Sequence, residues 1–205
     1  MEQLEQLKDV WKKQGESEIK FSGEDIYNML HKKSSSIVKW ILIISILEFV
    51  LPNLIYLVTD HDASRRIYEN YGLTNITMIY TAIHVVFICI FIYIFYKNYK
   101  NISAESSVKG LLFDILKTRK TVKYYIYYNL TIAAIIGVHI FYIVFSSEAF
   151  LENIPKDINL ITIWLIALSL LAIAIFVFWI FYRILYGILL KKLNKNYDNL
   201  LKNEC

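Results

Sequence analysis

Polar side chains inside long apolar stretches are the residues of this sequence most capable of chemistry. Glu48 lies in the middle of SILEFVLPN, residues 45–53, and His84, Asn129 and His139 interrupt other apolar stretches. A carboxylate and an imidazole within bonding distance can share or relay a proton. Because a charged group at the centre of a bilayer costs about 2.5–3.5 kcal/mol, we expect these side chains to face other helices.

Four apolar runs must position these groups. A hydrocarbon core of about 30 Å requires roughly 20 helical residues. The predicted spans are residues 37–58, 73–96, 124–145 and 159–182. Ala133 and Gly137, four residues apart in the third run, offer a close-packing position for a neighbouring helix. With 57% hydrophobic residues, six glycines and two prolines, the sequence predicts an all-α fold. The predicted architecture is that of a polytopic membrane protein with four transmembrane helices and cytoplasmic amphipathic helices.

The basic residues predict the orientation. The longer segments outside the spans are an N-terminal segment, residues 1–36, a central loop, 97–123, and a helical C-terminal tail, 183–205. These segments and Lys39 hold all of the 22 lysines and arginines except Arg65, Arg66 and Lys156, which lie in the two short loops. By the positive-inside rule, both termini and the central loop are cytoplasmic. The net charge of +4 is thus a topology signal, and direct nucleic-acid binding is not expected.

Each predicted cytoplasmic segment carries an apolar face at helical spacing. The faces consist of Leu4, Leu7 and Trp11; Ile26, Met29 and Leu30; Val108, Leu111, Leu112, Ile115 and Leu116; and Leu185, Leu189, Leu193, Tyr197, Leu200 and Leu201. Ser22 and Asp25 resemble a capping box that begins a second short helix with Ile26, Met29 and Leu30 facing inward. These faces either pack on one another or lie on the inner leaflet. Alternatively one of them, chiefly the N-terminal face with Trp11 as anchor, docks into a groove on a soluble partner.

Glu48 and His84 are expected at similar depth, because the first two spans run in opposite directions and each residue lies eleven positions from its span's first residue. Pro52 cannot donate to the carbonyl of Glu48, so a kink is expected there, with that carbonyl bonded to water, Ser45 or His84. One interpretation is a hydrogen-bonded pair that fixes the packing of the first two spans. The other is a proton or ion pathway centred on Glu48 with His84 as relay.

Signatures of catalysis and of cofactor binding are missing from the sequence. It contains no phosphate-binding glycine loop, no nucleophile elbow and no zinc-protease helix. The four histidines are His31, His61, His84 and His139. Their predicted positions in different compartments cannot converge on one metal. The prediction is a non-enzymatic protein without cofactor or metal.

The stretches LKDVWKKQ, residues 7–14, and IYNMLHKKSSSIVKWILIISILEF, residues 26–49, resemble an uncharacterised bacterial family of small four-span integral membrane proteins. Genes of that family often lie beside those of extracytoplasmic-function sigma factors. The resemblance implies the bacterial inner membrane and an anti-sigma-like role, in which the N-terminal segment holds a sigma factor at the membrane. We therefore expect a membrane anchor or regulator for a cytoplasmic partner. The alternative is an oligomeric channel or proton- or ion-conducting protein centred on Glu48.

Overall fold

A computed structural model describes residues 22–59, 61–155 and 158–204 of the 205-residue chain. The described residues form helices and no strand. The helices are α1 (Gly23–Val58), α2 (Asp62–Asn70), α3 (Thr74–Ala104), α4 (Val108–Phe145), α5 (Glu148–Leu151) and α6 (Leu160–Glu204). The all-α prediction is confirmed.

The helices α1, α3, α4 and α6 are long and apolar enough, by length and composition, to cross a membrane. The chain is accordingly a multi-pass membrane protein. Each of these helices is also longer than its predicted span. The 45 residues of α6 extend over about 68 Å at 1.5 Å per residue. That length exceeds the hydrocarbon core of about 30 Å, so the helix must continue well into water.

The four long helices form an antiparallel bundle with up-down-up-down connections. Helices α1 and α4 each pack against both α3 and α6, and lie diagonally opposite each other. The predicted central loop is in fact almost entirely helical. Only residues 105–107 lie between α3 and α4.

Side chains within this short connection fix its geometry. Oε1 of Glu105 accepts hydrogen bonds from the backbone N–H groups of Ser106, at 3.1 Å, and Ser107, at 2.9 Å, and from the Ser107 hydroxyl, at 2.8 Å. The Ser107 hydroxyl also accepts from the N–H of Gly110, at 3.1 Å, and so caps α4. The hydrogen bonds from Ser107 hold the pKa of the Glu105 carboxyl below its usual value.

A predicted capping box begins α1. The Ser22 hydroxyl accepts from the N–H of Asp25, and the Asp25 carboxylate accepts from the N–H of Ser22, both at 3.1 Å. The helix that follows is the first part of α1 and runs without interruption into the apolar run, whereas the sequence predicted a separate short helix. The inward placement of Met29 is also wrong, because its side chain is 44% exposed. Leu30, which was also predicted to face inward, is buried.

The bundle divides into two halves of different composition. We call residues 23–41, 88–125 and 183–204 the basic half, and residues 42–59, 61–87, 126–155 and 158–182 the apolar half. Within the described chain, the buried apolar side chains lie in the basic half, except Leu73 and Ala167. In the apolar half, many large side chains are exposed, for example Val58 at 85%. Lipid tails are as apolar as leucine, so these side chains gain little from burial.

Candidate functional site

Glu48 belongs to the apolar half, and two tyrosines of the basic half hold its carboxylate. Oε2 of Glu48 accepts hydrogen bonds from the hydroxyl groups of Tyr125, at 2.7 Å, and Tyr186, at 3.0 Å. Tyr125 belongs to α4 and Tyr186 to α6. Both tyrosine side chains are buried. One carboxylate therefore joins three of the four long helices.

Aromatic rings surround this carboxylate site and bring in the fourth helix. The Tyr125 ring makes edge contacts with Phe91 and Phe95 of α3, with ring centroids 5.4 and 5.5 Å apart. It also meets the Tyr186 ring edge-on, at 5.8 Å. Such edge-to-face pairs add to the stability provided by apolar burial. The Glu48 site is thus the point at which all four long helices are cross-connected.

The direction of Glu48 follows from the helical phase of α1. Its buried residues are Leu30, Ser34, Val38, Ile41 and Ser45. Glu48 is the next position at this spacing of three or four residues, so its side chain points toward the axis of the bundle. It consequently reaches α4 and α6, and the predicted contact with His84 is wrong. The predicted pair was based on equal depth along the two spans, whereas the phase of the stripe selects the partners.

His84 makes a different contact. Its ring stacks on that of Tyr128 in α4, with centroids 6.0 Å apart and an interplanar angle of 7°. Four buried polar atoms of the described residues have no hydrogen-bond partner: Oε1 of Glu48, Oγ1 of Thr77, Nδ1 of His84 and the hydroxyl of Tyr128. Most buried polar atoms in proteins are paired, so these four atoms are exceptions. Each of them can form a hydrogen bond with a small polar species.

The other two predicted intramembrane polar residues make no hydrogen bond to Glu48. Nδ2 of Asn129 donates to the backbone carbonyl of Tyr125, at 2.8 Å. Nδ1 of His139 is hydrogen-bonded to the hydroxyl of Tyr80. Glu48, His84, Asn129 and His139 are therefore not bonded to one another, although Glu48 and Asn129 both bond to Tyr125.

Helix α1 continues through Pro52 to Val58. The Ser45 hydroxyl donates to the carbonyl of Leu42, at 2.8 Å, and so does not satisfy the carbonyl of Glu48 as predicted. The amide of Asn53 donates to the carbonyl of Phe49, at 2.6 Å. Polar side chains next to the proline thus bond to the backbone of their own helix.

Gly137 allows α4 and α6 to approach closely, as the small-residue spacing predicted. A Cβ atom at this position would lie 2.7 Å from Cδ1 of Leu171, which is closer than van der Waals contact. Ala133, the other member of the predicted pair, is exposed. The close approach therefore depends on Gly137.

Polar contacts link the helices within the basic half. Nδ2 of Asn196 donates to the Ser34 hydroxyl at 3.2 Å, and Nδ2 of Asn98 donates to the Thr121 hydroxyl at 3.3 Å. Nε2 of His31 is 2.7 Å from the carbonyl of Ile102. The Tyr27 hydroxyl donates to the carbonyl of Glu105 at 3.1 Å. The first three bonds each join two different helices, and the fourth joins α1 to the turn between α3 and α4. Together they fix the relative positions of α1, α3, α4 and α6 beyond the apolar half.

The amphipathic faces of the basic half pack mainly on one another. The cluster comprises Leu30, Val38, Ile102, Leu111, Leu112, Ile115, Leu193 and Leu200. Leu116 and Leu201 depart from this pattern and are 43% and 41% exposed. Phe113, which sequence reasoning missed, is 67% exposed. The predicted partner-binding residues Leu4, Leu7 and Trp11 lie outside the described residues.

Within the described ranges, no group of three or more His, Cys, Asp or Glu side chains is arranged to hold a metal ion.

Comparisons with known proteins place the chain in a family. No curated protein and no solved structure is significantly similar to the chain. A family model described as a domain of unknown function, DUF8845, matches residues 24–205. That match includes every helix of the bundle, and the chain belongs to the DUF8845 family.

Proposed function

We propose that this protein is a non-enzymatic anchor or regulator of the bacterial inner membrane whose cytoplasmic, basic half binds a soluble protein partner. The concentration of lysine and arginine in that half supports the cytoplasmic orientation. The resemblance of residues 7–14 and 26–49 to a family encoded beside sigma-factor genes supports a sigma factor as the partner. The role would then be anti-sigma-like.

The observation that carries this proposal is the exposure of Phe113. Most apolar residues near it, such as Leu111 and Ile115, are used by the core of the basic half. Phe113 and Leu116, three positions apart on α4, remain 67% and 43% exposed. An exposed aromatic residue beside an exposed leucine is a common anchor for a protein interface.

The distance of Phe113 from the third span argues against lipid as its contact. It lies eleven residues before Tyr124, the first residue of that span, which is about 16 Å at 1.5 Å per helical residue. The polar region of one leaflet is only about 5–8 Å thick. A helix that continues straight out of the bilayer therefore carries Phe113 into water.

The charges around Phe113 indicate the chemistry of its partner. Lys109, Lys117 and Lys120 follow the same helical face at offsets of −4, +4 and +7 from Phe113, and all three are exposed. This apolar pair framed by ammonium groups is complementary to an apolar groove with an acidic rim. The N-terminal segment, with Leu4, Leu7 and Trp11, would supply a second contact from the same side of the membrane.

Photo-crosslinking of the full chain in intact cells tests the proposal. A photoreactive phenylalanine analogue at position 113 should form a covalent adduct with a soluble protein, to be identified by mass spectrometry. The matched control places the analogue at Phe176, which is 57% exposed in the apolar half and should give only lipid adducts. Charge reversal by Lys109→Glu and Lys117→Glu should reduce the adduct at position 113. Lipid adducts alone at position 113, or the same adducts at both positions, would contradict the proposal.

The second candidate function is proton or ion conduction by an oligomer of this chain. It is favoured by the unpartnered Oε1 of Glu48, Nδ1 of His84 and hydroxyl of Tyr128. Thr77, Tyr80 and His84 follow one face of α3 at spacings of three and four, so polar groups extend toward its beginning in the apolar half. Such groups can bind water or pass protons within a bundle.

Flux measurements separate this second function from the first. Proton or cation flux should be measured in vesicles containing the full chain, Glu48→Gln or Tyr142→Phe. Tyr142 is 60% exposed on α4 and serves as the control. Conduction through the Glu48 site predicts that only Glu48→Gln lowers the flux. Identical traces for all three proteins would exclude that route.

A further inference from the structure

A cavity of about 360 Å³ lies between α4 and α6, where these helices pass from the apolar to the basic half. Residues that line it include Lys123, Tyr127, Trp179, Tyr182, Arg183 and Gly187. The set combines two cations with three aromatic side chains. This combination is typical of the boundary between lipid and water.

The two cations lie at the ends of two predicted spans, where lipid phosphate groups are expected. Lys123 directly precedes the third apolar run, and Arg183 directly follows the fourth. The Arg183 guanidinium lies over the Trp179 ring, 5.0 Å from its centroid, so the indole restricts its position. Among the described residues, neither cation has a carboxylate within ion-pair distance, and no acidic side chain lines the cavity. Both therefore keep their capacity to bind an anion.

Gly187 keeps the cavity open. A Cβ atom placed there would approach only Cγ of Arg183, at 4.0 Å. Space for a larger side chain therefore exists beside the two cations. The contrast with Gly137, where a Cβ would meet the neighbouring helix at 2.7 Å, shows that Gly187 is not required for helix packing.

We propose that this cavity binds the phosphate group of one anionic membrane phospholipid, independently of the protein partner. Lys123 and Arg183 contact the phosphate from α4 and α6. Arginine provides several N–H donors in a planar group that suits phosphate oxygens. Tyr127 and Trp179 lie at the level of the glycerol and ester groups. The acyl chains follow the exposed face of α6, where Phe176 stacks on Trp179. Basic pockets between helices at the cytoplasmic surface recognise lipid headgroups in this way.

Native mass spectrometry of the full chain released from nanodiscs tests the lipid site. The nanodiscs contain equal amounts of phosphatidylglycerol, which is anionic, and phosphatidylcholine, which is zwitterionic. The wild-type chain should retain one phosphatidylglycerol in preference to phosphatidylcholine. Lys123→Gln with Arg183→Gln should lower this preference about thirtyfold. This factor corresponds to losing the attraction of two basic residues for anionic lipid at a membrane surface. Lys195→Gln with Lys202→Gln removes the same charge from exposed positions of α6, twelve or more residues beyond Arg183, and should leave the preference unchanged.

Filling the cavity tests its shape separately from its charge. Gly187→Leu keeps both cations and favours helix formation, yet it should abolish retention of the lipid. Gly187→Ala, which the space accommodates, should retain it. Equal retention of both lipids by the wild-type chain, or unchanged retention by Gly187→Leu, would overturn the proposal.

A further measurement distinguishes lipid from free phosphate. Phosphatidylglycerol added to delipidated protein in detergent should raise the thermal unfolding midpoint, and inorganic phosphate should not. A similar rise with inorganic phosphate alone would overturn the assignment to a lipid. Loss of the partner adduct at Phe113 would not affect any of these results, so the two proposals fail independently.

Discussion

The two halves of the bundle contain the same four helices but differ in how these helices pack. In the basic half, residues such as Leu111, Ile115 and Leu193 are fully buried, and polar bonds connect neighbouring helices. In the apolar half, side chains such as Leu165 and Ile173 are at least 60% exposed. Water drives apolar groups together, whereas lipid accepts them. The part of the basic half beyond the predicted spans, residues 23–36, 97–123 and 183–204, therefore packs as a region in contact with water would.

The largest expected effect is the loss of stability on truncating a buried leucine of the basic half, compared with an exposed leucine of the apolar half. Leu111→Ala removes a side chain with 0% exposure and should lower the free energy of unfolding by about 2–5 kcal/mol. Leu165→Ala, at 62% exposure in the apolar half, should change it little. Unfolding of the full chain in mixed micelles by increasing dodecyl sulfate measures both. Equal losses would contradict the difference in packing between the halves.

The junction between the halves depends on the tyrosines that hold Glu48. Tyr125→Phe with Tyr186→Phe leaves the carboxylate without its two donors and should cost about 1–3 kcal/mol in the same assay. Glu48→Gln should cost less, because an amide oxygen still accepts from tyrosine. Tyr142→Phe, at an exposed position of α4, is the control. A double variant as stable as this control would exclude a structural role for the carboxylate.

Close packing in the apolar half is concentrated at Gly137. Gly137→Ala should lower the free energy of unfolding by about 1 kcal/mol, because the new methyl group overlaps the Leu171 side chain. Combining it with Leu171→Ala should recover part of that loss relative to the sum of the single changes. Gly187→Ala has no such neighbour and should be neutral or slightly stabilising. Additive losses in the double variant would show that the two positions are not coupled.

The smallest effect is a local pH dependence at the turn between α3 and α4. Hydrogen bonds from Ser107 lower the pKa of Glu105 from its ordinary 4.5, so they favour the charged carboxylate in the folded turn. Their contribution is present above pH 4.5 and is lost as the pH falls through the lower pKa of the folded state. Amide hydrogen exchange at Ser107, corrected for its intrinsic rate, should accelerate over that interval. Glu105→Gln should show no such change. An identical pH profile in both proteins would contradict this role.

Much of the helical arrangement could be predicted from the sequence. The four spans follow from apolar run length, and the Ser22 and Asp25 box correctly predicts where α1 begins. The apolar patterns around Leu111 and Leu193 predict helices outside the membrane. However, only three residues connect α3 and α4, where a loop of residues 97–123 was expected. The Glu105 and Ser107 bonds explain this short turn.

The partners of Glu48 were harder to predict. Matching depths suggested His84, whereas the phase of α1 directs the carboxylate toward Tyr125 and Tyr186. Phase can be read from the small and apolar stripe that includes Ser34 and Ser45. The choice among neighbouring helices also requires their order around the bundle, and no residue pattern in one span contains that order. The exposure of Phe113 was predictable, because this residue lies opposite Leu111 and Ile115 on α4.

The central proposal, that the packed basic half faces the cytosol and exposes Phe113 there, is tested most directly by labelling single cysteines. Phe113→Cys and, on α2, Ser64→Cys are made separately in a chain that lacks Cys89 and Cys205, and treated with a membrane-impermeant thiol reagent. We predict that Phe113→Cys is labelled only in inside-out vesicles and Ser64→Cys only in right-side-out vesicles. The reverse pattern, or protection of Phe113→Cys in both, would contradict the account.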